Sequence, residues 1–433
     1  MQSTGNKMTD KALILFKLSL PPLSKNESKV LKLLVEAGEL IAPVYKEQEE
    51  WAKTEIDKEE VAAAAKKDPA LLSPYTVIEK VNGKLMAVPY HVKYAGILAP
   101  IAKKLSQAAA YTDNKEFGRA LKIQAKALLT GSYDQATIAW LKTKPYVLNI
   151  SIGPLRHFDN RLPFSKASYH AWVGVLDEEG TNKLNNYKKI TLSARRKAFL
   201  PGERIGSKKI QAKVLNVVLF SGIMAKTKFV GLNLPVNLDI VENYGAEITL
   251  FNEANDLRVN EQIFPTYRKI FPRAFKEGFS WEGLRKGYLC CTALHELAHS
   301  YLYYKGSAEN LGDLFPSIYE LAATILGLRM AGALLLQDRI TEKRLTSMIV
   351  AYICRSYYLM SDDGNFMANH SAGGTIFINF MHESGAIKQL NGEMVPNFMK
   401  IFVSLQELSY ILEQLLSSGI RKDAEQFVRK YTQ

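Results

Sequence analysis

The chain has 433 residues, 47% of them hydrophobic and 23% charged, which is ordinary for a globular protein and excludes a disordered, collagen-like or low-complexity chain. Lys and Arg outnumber Asp and Glu by 56 to 43, a net charge of +13, but the excess is spread along the chain with no basic tail or arginine cluster, so no nucleic-acid partner is expected. Three cysteines, Cys290, Cys291 and Cys354, cannot build a disulfide framework and point to a reducing compartment.

At about 150 residues per domain the length predicts two to three domains or one large two-lobed body. Residues 12–20 form a short apolar run broken by Lys17 and followed by Pro21 and Pro22, unlike an export signal, so a cytoplasmic location is expected. Residues 1–140 read mainly as helices, and 46–67 mixes both charge signs around Trp51, Ile56 and Val61, a solvated amphipathic helix pair. From residue 146 the period changes. The runs 146–152, 169–176, 213–220, 229–234 and 247–252 are short, β-branched or aromatic, and separated by Gly, Pro and Asn, which predicts strands of a sheet or small barrel. A basic helical insertion, about 181–197, interrupts them, and helical periodicity returns at Trp281 to run almost unbroken to the C-terminus. The most apolar stretch, 321–336, carries Arg329 at its middle and falls short of the roughly 20 residues a bilayer crossing needs. It predicts a buried helix and no membrane partner.

The chemistry concentrates in Leu294-His295-Glu296-Leu297-Ala298-His299, a His-Glu-x-x-His pattern inside a run without Pro or Gly. Residues four apart in a helix differ by about 40° in direction, so His295 and His299 can offer two imidazole nitrogens to one tetrahedral zinc. Glu296 points about 100° away from His295 and suits a general base on water better than a ligand. Catalytic zinc takes three protein ligands, and Glu320 fits as the third: it lies on a helix starting near Pro316, among Ile318, Leu321, Ala322 and Ile325, where an unpaired carboxylate is costly. The competing reading pairs Glu320 with Arg329 or a tyrosine. Cys291, one turn before His295, reads as a packed small hydrophobe.

Beyond these residues the chain resembles a divergent, short member of the dipeptidyl peptidase III family of zinc peptidases over roughly 140–390. Ile152-Gly153-Pro154-Leu155-Arg156-His157-Phe158-Asp159 with Lys166-Ala167-Ser168-Tyr169 is similar to the family's GP-x-E-x-Y-x-D … KA-x-F segment, and Gly231-Leu232-Asn233-Leu234-Pro235 to its NLPN block. Ile318-Tyr319-Glu320-Leu321-Ala322-Ala323 resembles the ligand helix, and Ala368-Asn369-His370-Ser371 with Glu383-Ser384-Gly385-Ala386 the block whose histidine faces the substrate. The resemblance implies an α+β, two-lobed fold: N-terminal helices and a substrate lobe with a small β-barrel or mixed sheet over 1–255, a helical zinc lobe over 256–433, and a cleft between. It implies His295, His299 and Glu320 as ligands of Zn2+, Glu296 and His370 as catalytic groups, and Gly153, Arg156, Phe158 and Asn233 along a bound short peptide. The oligomeric state stays open.

Departures from the family pattern carry their own implications. Phe158 stands where the family has a tyrosine that helps polarise the scissile carbonyl, a loss of about 10²–10³ in turnover unless His157 or Tyr169 replaces it. Arg156 replaces a glutamate that holds the substrate's free ammonium, and would repel that charge. Tyr319 and Thr324 replace acidic residues that support the zinc histidines. His370, read from the residues alone, is more often a polar loop-to-helix residue than a catalytic one, and the block resemblance brings the two readings level. Three functions follow: a zinc peptidase acting on short peptides through water activated by the metal; a catalytically silent peptide-binding protein on the same zinc scaffold; and a zinc hydrolase in which Arg156 selects an acidic substrate.

Overall fold

The computed structural model describes residues 12–156, 162–195, 209–361 and 368–432. Among them the strands are β1 (Leu13–Leu15), β2 (Thr76–Val81), β3 (Lys84–Pro89), β4 (Leu148–Leu155), β5 (Ser168–Leu176), β6 (Ile210–Gly222), β7 (Gly231–Leu234), β8 (Ala246–Phe251), β9 (Ile387–Leu390) and β10 (Glu393–Pro396). The five expected runs correspond to β4 through β8, and the expected insertion is the helix Glu178–Arg195. The class is α+β. The chain divides into two compact units: one runs to Leu176 and adds Leu215–Phe229, the other holds Asp177–Val214 and Val230–Gln433. This division differs from a single boundary at 255, because β7 and β8 pack against helices of the second unit.

In the first unit β4 pairs antiparallel with β5, β5 with β6, and β1 with the far end of β6. Tyr169, Ala171, Trp172, Val173 and Val175 of β5 are all fully buried. A strand covered on both faces loses its polar alternation, which is why this one reads as a continuous apolar run. Helices Lys25–Glu39 and Ile41–Ala52 pack on it, the first started by a capping box between Ser24 and Glu27. The helical reading of 1–140 needs correcting at β2 and β3, an antiparallel hairpin turning on Asn82 and Gly83, both at positive φ.

The second unit is built on helix Phe315–Leu335, apolar on all sides and buried as such a helix must be. It packs against Trp281–Leu302, Ala368–Glu383 and Phe398–Ser418. Arg329 donates to Ser409 Oγ at 3.0 Å and does not claim Glu320. β7 and β8 form an antiparallel hairpin, Gly231 opposite Leu250, against the helix Trp281–Leu302. A second correction lies at β9 and β10, a hairpin turning on Asn391 and Gly392 inside the expected helical run.

Two glycines let the helices approach. A Cβ on Gly327 would lie 2.9 Å from the His295 amide nitrogen and from Leu294 C, and 3.0 Å from Leu294 O. These are backbone atoms of another helix and cannot yield without moving it. A Cβ on Gly373 would meet Leu321 Cβ at 3.3 Å. Gly327→Ala should therefore destabilise the fold by about 1–3 kcal/mol through overpacking, measured by urea unfolding; an unchanged midpoint would show that the helices separate at no cost.

Candidate metal centre

Helix Trp281–Leu302 is capped by Ser280, whose hydroxyl accepts from the Gly283 amide, and carries His295 and His299 on one face. Their rings meet edge to face, centroids 4.5 Å apart, with the two Nε2 atoms 3.0 Å apart. Glu320, one turn into helix Phe315–Leu335, brings Oε2 to 3.2 Å from His295 Nε2 and 3.5 Å from His299 Nε2. The three residues form a group whose ligand atoms all lie within 4.8 Å of one another. Donors about 2.0–2.1 Å from a tetrahedral ion lie roughly 3.3 Å from each other, so the observed separations fit a single divalent cation. Two imidazoles and one carboxylate are also the donor chemistry of a zinc site with an open position.

The surroundings are largely buried and carry titratable groups. Glu296 is buried, its Oε1 so close to Gly231 of β7 that a Cβ added there would lie 2.9 Å from it. Burial pushes its carboxyl up to about 7, His295 opposing and Glu320 adding to the shift. For Glu320, burial acts upward but the charges of His299 and His370 and hydrogen bonds from His295 and His299 outweigh it, holding the carboxylate well below its usual range. His370, in the first turn of helix Ala368–Glu383, places Nε2 3.7 Å from Glu320 Oε2. His295 Nδ1 meets Thr324 Oγ1 at 2.8 Å, so the position that lacks an acidic residue still supports a histidine through a hydroxyl. His299 instead packs at a tilt against Tyr319, centroids 4.6 Å apart, and Tyr319 donates to the His299 carbonyl at 3.2 Å. Cys291 is buried and its thiol pushed up by burial, as expected of packing.

No family model matches the chain. DPP III from Caldithrix abyssi superposes with a TM-score of 0.80 at 18% identity, covering 94% of this chain and 90% of that one. Dipeptidyl-peptidase III from Corallococcus sp. strain EGB superposes with a TM-score of 0.78 at 19% identity, covering 96% and 90%. The fold is that of dipeptidyl peptidase III. Among curated proteins, Nudix hydrolase 3 of Arabidopsis thaliana is 19% identical over 360 residues, 81% of this chain and 46% of that protein; the chain spans about half the length of this relative.

On the dipeptidyl-peptidase-III fold the remaining predicted residues are placed as follows. Asn233 in β7 donates from Nδ2 to the Glu296 carbonyl at 3.0 Å and to Ser300 Oγ at 3.1 Å, tying the strand to the histidine helix. Ser300 was not anticipated; its place one residue after the motif is its only signal in the sequence. Phe158 and His157 lie outside the described residues. Arg156 is exposed just beyond the end of β4. Gly153 in β4 has φ +134 and offers its carbonyl to His170 Nδ1 at 2.7 Å, while Ser151 Oγ meets His170 Nε2 at 2.9 Å. Tyr169 is fully buried, its hydroxyl 3.3 Å from that of Tyr133, so it cannot replace the hydroxyl missing at Phe158.

Burial lowers the His170 pKa to about 4, the Gly153 hydrogen bond opposing. A histidine pKa depressed by folding contributes stability that is present above the unfolded value near 6.5 and is lost as pH falls through the folded value. Unfolding free energy should drop by on the order of 3 kcal/mol between pH 6.5 and 4 from this group, and less in His170→Gln. Denaturant titrations at both pH values check it; equal slopes in both proteins would contradict it.

Proposed function

We propose that the chain is a zinc-dependent peptidase that hydrolyses short peptides, on the strength of one observation: a buried carboxyl, Glu296, lies beside a three-donor cluster of His295, His299 and Glu320. Zinc, when bound, supplies Lewis acidity and lowers the pKa of water toward neutrality. Glu296, buried beside the three donors, is placed to take a proton from the attacking water and return it to the leaving amine. His370, on the rim of the cluster, is assigned the developing oxyanion. Asn233 spends both amide hydrogens on Glu296 and Ser300, leaving its Oδ1 as the atom that can accept from a peptide N–H. Exposed Arg156 suits a substrate carboxylate better than a free ammonium.

A second reading, peptide binding without turnover, is favoured by Tyr169, whose hydroxyl is committed inside a tyrosine cluster and so does not stand in for the one missing at Phe158. The two separate in one experiment. Zinc-loaded protein should hold about one zinc per chain and cleave members of a peptide library. Glu296→Gln should keep the zinc and lose about 10²–10⁴ in turnover. Peptide binding by calorimetry with no cleavage by the zinc-loaded wild type would establish the silent reading instead.

A further inference from the structure

Thr324 sits one turn beyond Glu320 on the same helix and is buried. Its hydroxyl oxygen lies 3.3 Å from the Glu320 carbonyl, to which it donates, and 2.8 Å from His295 Nδ1. With the hydroxyl hydrogen given to that carbonyl, the oxygen is left as an acceptor for a proton on His295 Nδ1, which turns Nε2 of the ring toward Glu320. On the other ligand the situation is opposite. His299 Nδ1 is buried and has no partner among the described residues.

Resting on the zinc reading above, we propose that Thr324 is the positioning residue of the metal centre: its one hydroxyl fixes the tautomer of His295 and ties that ligand to the helix turn that bears Glu320. An uncharged partner orients an imidazole without the electron donation of a carboxylate, and His299 has no such partner. Among the described residues, Thr324 is therefore the side chain that orients a candidate ligand imidazole from behind. Removing an outer partner of a ligating histidine costs about 10–100-fold in metal affinity.

The test uses the full chain. Zinc dissociation constants are measured by chelator competition for wild type, Thr324→Val and Thr324→Ser, together with the visible absorption of the cobalt-loaded forms and thermal melting of the metal-free forms. Thr324→Val, equal in shape but without the hydroxyl, should bind zinc about 10–100-fold more weakly and change the cobalt bands while its metal-free melting stays near wild type. Thr324→Ser should restore both. A Thr324→Val affinity within twofold of wild type would overturn the assignment while leaving the zinc reading intact. A wild type that takes up no more zinc than His295→Ala would instead remove the zinc reading, and this assignment with it.

Discussion

The separation of two helix backbones at Gly327 governs everything built above it. The absence of a Cβ there allows helix Phe315–Leu335 to lie against the His295 amide, and only at that distance can a carboxylate one turn into one helix reach imidazoles on the other. A carboxylate is tolerated on an otherwise apolar helix because the imidazoles face it; without them its desolvation would be uncompensated. Packing, electrostatics and ligand geometry thus meet at one contact. The glycine is a steric requirement, and the chemistry follows from it.

The same closeness divides two glutamates into two roles. Glu320 is surrounded by histidines and its carboxylate is held well below its usual range. Glu296, on the adjoining face and pressed against Gly231, has burial as its largest influence and moves toward neutrality. Environments that push two titratable groups apart are what acid–base chemistry requires. β7 contributes twice, with Gly231 walling off the Glu296 carboxyl and Asn233 holding the helix carbonyl behind it.

Much of this was readable before any coordinates, and the reasons are physical. β4 through β8 are long enough for composition and punctuation to mark them. β1 has three residues and carries no period, so it escaped. The hairpins β2–β3 and β9–β10 were absorbed into helical readings although each contains Asn-Gly, the dipeptide whose positive φ values favour a two-residue hairpin turn; a local signal was outvoted by regional helical character. His295, His299 and Glu320 were legible because helix periodicity fixes their directions and a carboxylate among apolar neighbours demands a partner. Thr324 was legible only through the family resemblance, as a position lacking the acidic residue that supports the histidines; that its hydroxyl meets His295 was not, because that bond exists only through the contact between two helices. The division of the chain was equally hidden, since nothing in β7 and β8 announces that they pack with the helices following them.

Crystals of the zinc-loaded protein, with anomalous diffraction collected at the zinc edge, would test the convergence of these side chains most directly. The account requires a single strong peak about 2.0–2.1 Å from Nε2 of His295, Nε2 of His299 and a carboxylate oxygen of Glu320. A map with no peak there, or with the ion held elsewhere while those three side chains keep their contacts, would contradict it.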